Sequence, residues 1–139
     1  MRRVSHFNFR RCPIELTMEQ LGKKWAIPII RDLFKGKTRF KEFLEANPKL
    51  SPKVLSTRLK DLQEYSIIEK KIVRPTPLLI EYELTEKGKA LGDILYSLAS
   101  FSIKFHVDEI YQGRPENVER DLGNLRRIFC LSEREEESN

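Results

Sequence analysis

The side chains best suited to chemistry crowd into one stretch of the 139-residue chain, between Lys35 and Lys60. Lys35, Lys37, Arg39, Lys41, Lys49, Lys53, Arg58 and Lys60 stand there against Glu42 and Glu45, a net charge of +6. The whole chain carries 26 Lys and Arg against 21 Asp and Glu, a net of +5. One segment therefore exceeds the total, which favours a polyanionic partner; on charge alone a solvated basic face with no partner is the equal alternative. Hydroxyls interleave with the cations at Ser51, Ser56 and Thr57. Such a mixture can meet phosphates and base edges. Cys12 is a second chemical candidate. It precedes Pro13 and follows Arg10 and Arg11, and cationic neighbours with a helix start favour the nucleophilic thiolate. The competing reading of Cys12 is an inert, partly buried thiol.

Several classes fall away. There are two cysteines, Cys12 and Cys130, too few for a disulfide scaffold. With two histidines, His6 and His106, and no ligand spacing, no metal site is expected. Neither a nucleophile–base pairing nor a phosphate-cradling glycine motif is present, so the chain is not expected to be an enzyme and no cofactor is implied. Hydrophobic residues make up 40% and charged ones 34%, enough apolar side chains to offset ordering entropy. No apolar run reaches the roughly 18–20 residues of a membrane span, and no apolar stretch of secretory type follows the basic N-terminus. The expectation is one cytoplasmic domain over 1–139 with no membrane contact. Residues 132–139 form an acidic tail of net −3, expected to fray.

Elements that could position these side chains follow from periodicity. The first helix is expected over Pro13–Leu21, with Ile14, Met18 and Leu21 on one face. The second is expected over Lys24–Phe34, where Pro28 is tolerable in the first turn. The third spans Thr38–Ala46 with Thr38 as N-cap. After a turn at Asn47-Pro48-Lys49-Leu50, the fourth starts at Ser51 as N-cap and Pro52 as first helical residue, and ends near Tyr65-Ser66. Ile67–Val73 and Leu79–Leu84 are expected strands around a loop at Arg74-Pro75-Thr76-Pro77. Thr85 then caps a long helix to about Tyr111, which Gly113-Arg114-Pro115 breaks. A last helix covers about Pro115–Leu131. Trp25 and Tyr82 are expected in the core.

The third and fourth helices, with their four-residue turn, have helix-turn-helix dimensions, and the hairpin supplies a wing. At 100° per residue, Leu55, Leu59 and Leu62 share a narrow inward arc. Lys53, Ser56, Thr57, Lys60 and Glu64 lie opposite, and Arg58 flanks the apolar stripe. The fold class is mainly α with a small β-hairpin wing: a winged helix-turn-helix with flanking helices.

Five pieces in order make a specific match. They are Cys12-Pro13, Gly22-Lys23-Lys24-Trp25, Arg39-Phe40-Lys41-Glu42-Phe43, the run from Leu50 to Lys60, and Pro77 followed by Glu81 to Gly88. Over residues 12–105 the chain resembles the HxlR family of winged helix-turn-helix regulators, relatives of the MarR group. The resemblance implies a prokaryotic, homodimeric transcriptional regulator on double-stranded DNA with a two-fold operator. It places the fourth helix in the major groove and the wing near the backbone or minor groove. It implies dimerisation through the N-terminal helix and the long helix after the wing, where Leu91, Leu95, Leu98, Phe101 and Phe105 form the stripe; with the helix after Gly113 added to that interface, the expected dimerisation helices span 86–131. Some members sense electrophiles or oxidants through a cysteine at the position of Cys12, so an oxidant or small-molecule effector stays open. Three departures stand out. Ser66 replaces a usual Gly, Glu69-Lys70-Lys71 is charged where an Arg and an aromatic are typical, and the helix after Gly113 lies beyond the family's core.

The expected DNA-binding set is Arg39, Ser51, Lys53, Ser56, Thr57, Arg58, Lys60, Lys71, Arg74 and Thr76. Arg39 could equally bond within the fold. A winged helix that meets an acidic protein instead of DNA is the competing function. RNA is disfavoured by the lack of an aromatic stacking surface.

Overall fold

A computed structural model describes residues 8–112 and 117–130. The sequence-expected helix of 115–131 and the acidic tail therefore fall partly or wholly outside the described residues, as do His6 and the Gly113-Arg114-Pro115 break. The elements run α1 (Pro13–Leu21), α2 (Ala26–Phe34), α3 (Phe40–Ala46), α4 (Pro52–Glu64), β1 (Ile68–Pro75), β2 (Leu78–Leu84), α5 (Glu86–Lys89), α6 (Gly92–Phe105), α7 (Val107–Tyr111) and α8 (Val118–Phe129). This is a winged helix-turn-helix with added helices.

The core forms where the apolar stripes converge. Ile29, Ile30 and Leu33 of α2 meet Phe43 of α3, Leu55, Leu59 and Leu62 of α4, and Ile67 and Ile68 at the start of the wing. Tyr82 closes this cluster from β2, packed edge-on against Phe43 with ring centroids 6.4 Å apart. Its burial pushes the phenol pKa up. Trp25 is only half-buried. It sits at the N-cap of α2 with φ of 76°, and the Lys24 ammonium lies 5.9 Å from its ring. The expected core tryptophan thus packs against the core from its rim. The turn that reverses the chain into α2 occupies it, which also delays the helix from Lys24 to Ala26.

Helix α3 starts at Phe40, not Thr38. Arg39 is the N-cap residue, and the cap comes from three positions on. Glu42 Oε1 accepts the backbone N–H groups of Arg39 at 3.0 Å and Thr38 at 3.3 Å, satisfying amides that a helix start leaves open. Helix α4 follows its expected design, with the Val54 N–H donating to Ser51 Oγ at 3.2 Å and Pro52 in the first turn. It stops at Ser66, which takes φ of 60°. The left-handed geometry usual for glycine is thus imposed on a serine.

The antiparallel wing pairs Ile68 with Leu84, Lys70 with Tyr82 and Ile72 with Ile80, and a register shift follows between Ile72 and Arg74. Arg74 and Pro75 pair with Leu79 and Leu78, so the expected four-residue loop shrinks to Thr76-Pro77. Beside the turn, the missing Pro75 N–H costs the ladder little. The Tyr82 N–H donates to Thr38 O at 2.8 Å, which ties the wing's stem to the entry of α3.

The expected long helix from Thr85 to Tyr111 is three helices. Thr85 Oγ1 accepts the Gly88 N–H at 3.0 Å but caps only α5. A Cβ on Gly88 would stand 2.1 Å from Ile67 O, so α5 sits hard against the wing's root. His106, at φ −130° and ψ 41°, separates α6 from α7. Apolar spacing runs through both breaks because periodicity is blind to one or two residues leaving helical geometry. Helix α8 crosses α6 just as closely. A Cβ on Gly92 would meet Phe129 O at 1.8 Å, and the Phe129 ring stands edge-on to Phe34, centroids 5.4 Å apart.

Candidate nucleic-acid interface

Helix α4 presents two opposed faces. Leu55, Leu59 and Leu62 are buried, while Lys53, Ser56, Thr57, Lys60 and Glu64 are exposed. Among the described residues neither Lys53 nor Lys60 has an ion-pair partner. Lys53 lies in the first turn, where a cation opposes the helix dipole, an arrangement that an anion at the helix start would relieve. The Thr57 hydroxyl donates to Lys53 O at 3.1 Å, which leaves its oxygen to accept. Ser51 Oγ is spent as the cap acceptor and keeps its hydrogen to donate.

Arg58 departs from the expected contact set. Its Nε donates to Lys24 O at 2.7 Å and its Nη1 to Asp61 Oδ2 at 3.2 Å. The side chain is 19% exposed. It points to the edge of the core and braces α4 against the segment that leads into α2. Its place beside the leucine stripe is the sequence signal for this inward role. Lys23 adds a longer contact to the same carboxylate, at 3.5 Å.

Arg39 lies 3.6 Å from Glu81 of β2, so it links α3 to the wing. On the wing, Lys71 and Thr76 are exposed. Arg74 is also exposed, and its Nε donates to Pro77 O at 3.2 Å across the turn.

One set of residues has no counterpart among the sequence expectations. Asp32 and Asn47 are the described polar side chains that are buried. Asn47 Nδ2 donates to Asp32 Oδ2 at 2.7 Å and to Phe43 O at 2.9 Å. Arg31 Nε donates to Asp32 Oδ1 at 3.1 Å, and Arg31 Nη2 to Asn47 Oδ1 at 3.0 Å. Asn47 O accepts the Leu50 N–H at 2.9 Å. This network locks the α3–α4 turn onto α2, so the helix that bears Lys53 and Lys60 has a fixed direction. The signal in the sequence is a charged Asp32 inside the apolar stripe of the second helix.

Cys12 is exposed at the N-cap of α1, ahead of Pro13, and Cys130 is buried. The Arg11 guanidinium pairs with Glu19 farther along α1, and the hydrogen bond and charge of that carboxylate raise its pKa. Arg11 is thereby drawn along α1. Among the described residues no group of His, Cys, Asp and Glu could hold a metal ion, and no helix is long and apolar enough to cross a membrane.

The expected dimerisation stripe divides. Leu95 is buried and Leu91 packs against the chain's own core. Leu98, Phe101 and Phe105 are 52%, 59% and 63% exposed. On α1, Ile14 is 74% and Met18 54% exposed, and only Leu21 of that stripe is buried.

Two helices joined by a tight turn, the second with an open basic face, and a hairpin directly after them define a winged helix-turn-helix transcriptional regulator. The HxlR-like helix-turn-helix family model matches residues 20–110, and the chain belongs to that family. It is 39% identical over 95 residues to the uncharacterized HTH-type transcriptional regulator YvaP of Bacillus subtilis, spanning 68% of this chain and 88% of that protein. It is 39% identical over 95 residues to the HTH-type transcriptional regulator YodB of Bacillus subtilis, spanning 68% and 85%. The reduced form of YodB superposes with a TM-score of 0.61 at 38% identity, covering 68% of this chain and 94% of that one. The redox regulator HypR in its oxidized form gives 0.61 at 30% identity, covering 67% and 96%. The chain is a DNA-binding transcriptional regulator.

Proposed function

We propose that the protein acts in the cytoplasm as a homodimer on a two-fold DNA site, by binding and not by catalysis. Helix α4 enters the major groove with Lys53, Ser56, Thr57 and Lys60, Ser51 meets a phosphate at its start, and Lys71, Arg74 and Thr76 bring the wing to the neighbouring backbone or minor groove. One observation carries this reading. The exposed face of α4 keeps two lysines without ion-pair partners among the described residues, set among hydroxyls, while the arginine beside them is turned inward as a brace. The second copy covers the apolar side chains left exposed on α1 and on α6, large apolar residues that a partner surface would bury.

Cys12 supplies a redox input in this reading. It is the exposed thiol of the chain's two cysteines, and it opens the helix that also bears Ile14 and Met18, so a change at its sulfur reaches the subunit interface. Selection of bound duplexes with and without diamide tests both parts. An enriched palindrome whose half-sites lie about one helical turn apart is expected, with affinity that changes on oxidation in the wild type and not in Cys12→Ser. An enriched non-palindromic site sinks the dimer. An identical response from Cys12→Ser removes the thiol from the reading. The winged helix that serves an acidic protein instead predicts no enriched duplex at all.

A further inference from the structure

Three helices meet around an open cavity of about 400 Å³. Each contributes residues at helical spacing. Helix α2 and its C-cap bring Ile27, Arg31 and Lys35, four apart along one side. Helix α6 brings Leu95, Leu98 and Ala99, and α8 brings Leu125, Ile128 and Phe129. The walls are apolar and the charges come from α2 alone. One third of the lining belongs to α8, a helix that lies outside the 20–110 family match.

We infer that this cavity binds a small amphipathic carboxylate, with an aromatic or branched apolar body between α6 and α8 and the carboxylate at Lys35 and Arg31. The size suits a small ligand, since such sites are typically about 300–1,000 Å³ and mostly apolar with a few polar groups. The charge fixes the class. Lys35 has no side-chain partner among the described residues. Arg31 uses Nε and Nη2 on Asp32 and Asn47, and its Nη1 has none among the described residues. The C-terminus of α2 alone would repel an anion; these two cations reverse the local sign. No described acid lines the cavity, so a cationic or neutral ligand would forgo the strongest contact on offer.

The site also reaches the DNA-binding helix. Arg31 touches the cavity on one side and holds Asn47 at the α3–α4 turn on the other. A carboxylate on Nη1 pulls on the same guanidinium that holds Asn47 through Nη2, so occupancy and duplex affinity are coupled, each shifting the other by the same factor. This coupling rests on the DNA-binding reading above, whereas the cavity's ligand does not.

Calorimetric titration of the full chain with 4-tert-butylbenzoate and with its neutral isostere 4-tert-butylbenzamide tests the site. The carboxylate is expected to bind at least about tenfold tighter than the amide, the lower end of a charge-assisted hydrogen bond's worth. Lys35→Gln, an exposed and fold-neutral change, should shrink that ratio below about twofold, and Ala99→Phe should abolish binding of both by filling the cavity. Equal affinity for acid and amide, no binding of either, or unchanged binding in both variants overturns the proposal. Binding seen only in a monomeric Phe101→Glu variant also overturns it, because the cavity would then be a subunit seam. The selected duplex titrated with and without the benzoate should show at least about a threefold change in affinity. A benzoate that binds and leaves duplex affinity unmoved refutes the coupling through Arg31. Failure of the chain to bind any duplex sinks the DNA reading and leaves the calorimetric result standing.

Discussion

The exposed faces of α4 and α6 are incomplete in opposite ways. On α4 every leucine of the inward stripe is buried, and the outward face is lysine and hydroxyl with one carboxylate, Glu64, at its end. On α6 the inward stripe is also filled by Leu95 and Ile103, yet Leu98, Phe101 and Phe105 remain outside. A polar face left open is at rest in water and gains from a polyanion mainly by releasing that polymer's counterions. An apolar face left open is not at rest, because each half-exposed side chain forgoes part of the about 1.5–3 kcal/mol that full burial is worth. The two faces therefore ask for different partners, and the apolar one has the stronger demand.

The largest expected effect falls on the apolar side. Phe101→Glu puts a charge in the middle of the α6 patch and should convert the dimer to monomer in sedimentation at micromolar concentration. Loss of the linked second half-site should then lower duplex affinity by about 100-fold or more, as expected when two tethered contacts become one. A Phe101→Glu protein that remains dimeric would move the interface elsewhere, and the contrast between the two faces would lose its functional meaning.

Next comes the polar side. Lys53→Ala with Lys60→Ala should weaken duplex binding about tenfold or more at fixed salt. The same pair should flatten its salt dependence by about one unit of slope for each phosphate that is no longer neutralised. The dimer should be untouched. Arg58→Ala separates bracing from groove binding. It should lower thermal stability and leave the salt slope unchanged, because its guanidinium is held by Lys24 O and Asp61.

The two faces are also unequally legible in the sequence. The α4 face follows from spacing alone, since a capped, regular 13-residue helix obeys the 3.6-residue period throughout. Arg58 lies on the border of the wheel, where a few degrees decide between groove and core, and only the carbonyl of Lys24, 34 residues away in sequence, settles it. The α6 stripe is legible only in part, for a different reason. Periodicity marks a face as apolar without saying which of its residues meets the chain's own α2 and α8 and which meets another molecule. Leu95 and Phe101 look alike in sequence, yet one is buried and the other is open. The Asp32–Asn47–Arg31 network is illegible because Asn47 lies 15 and 16 residues from its partners and joins them only when α2 and α3 cross.

A smaller effect probes the hinge between α4 and the wing. Ser66 leaves α4 in left-handed geometry, which costs a non-glycine residue roughly 1–2 kcal/mol. Ser66→Gly removes that steric cost but loosens the unfolded chain, so a net gain of about 1 kcal/mol or less is expected in denaturant unfolding. A decrease in stability would mean that the Ser66 side chain contributes more than the strain it carries.

The smallest effect is a pH dependence at the start of α3. Hydrogen bonds from the Thr38 and then the Arg39 backbone N–H hold the Glu42 carboxyl below its usual pKa, with Lys37 and Arg39 adding attraction and desolvation opposing. The folded state thus prefers the ionised form more than the unfolded state does. The sign follows from linkage: the contribution is complete above the unfolded carboxylate pKa and is lost as pH falls through the lower folded value. Glu42→Ala should therefore melt below the wild type at neutral pH, and the gap should close as the medium is acidified below the carboxylate range. Because Glu42 stays partly open to solvent, the gap should be small. It should nonetheless reach the DNA-facing side, since the same carboxylate seats Thr38, whose carbonyl holds the wing at Tyr82. A gap that is constant with pH would assign the destabilisation to helix propensity and not to the charged cap.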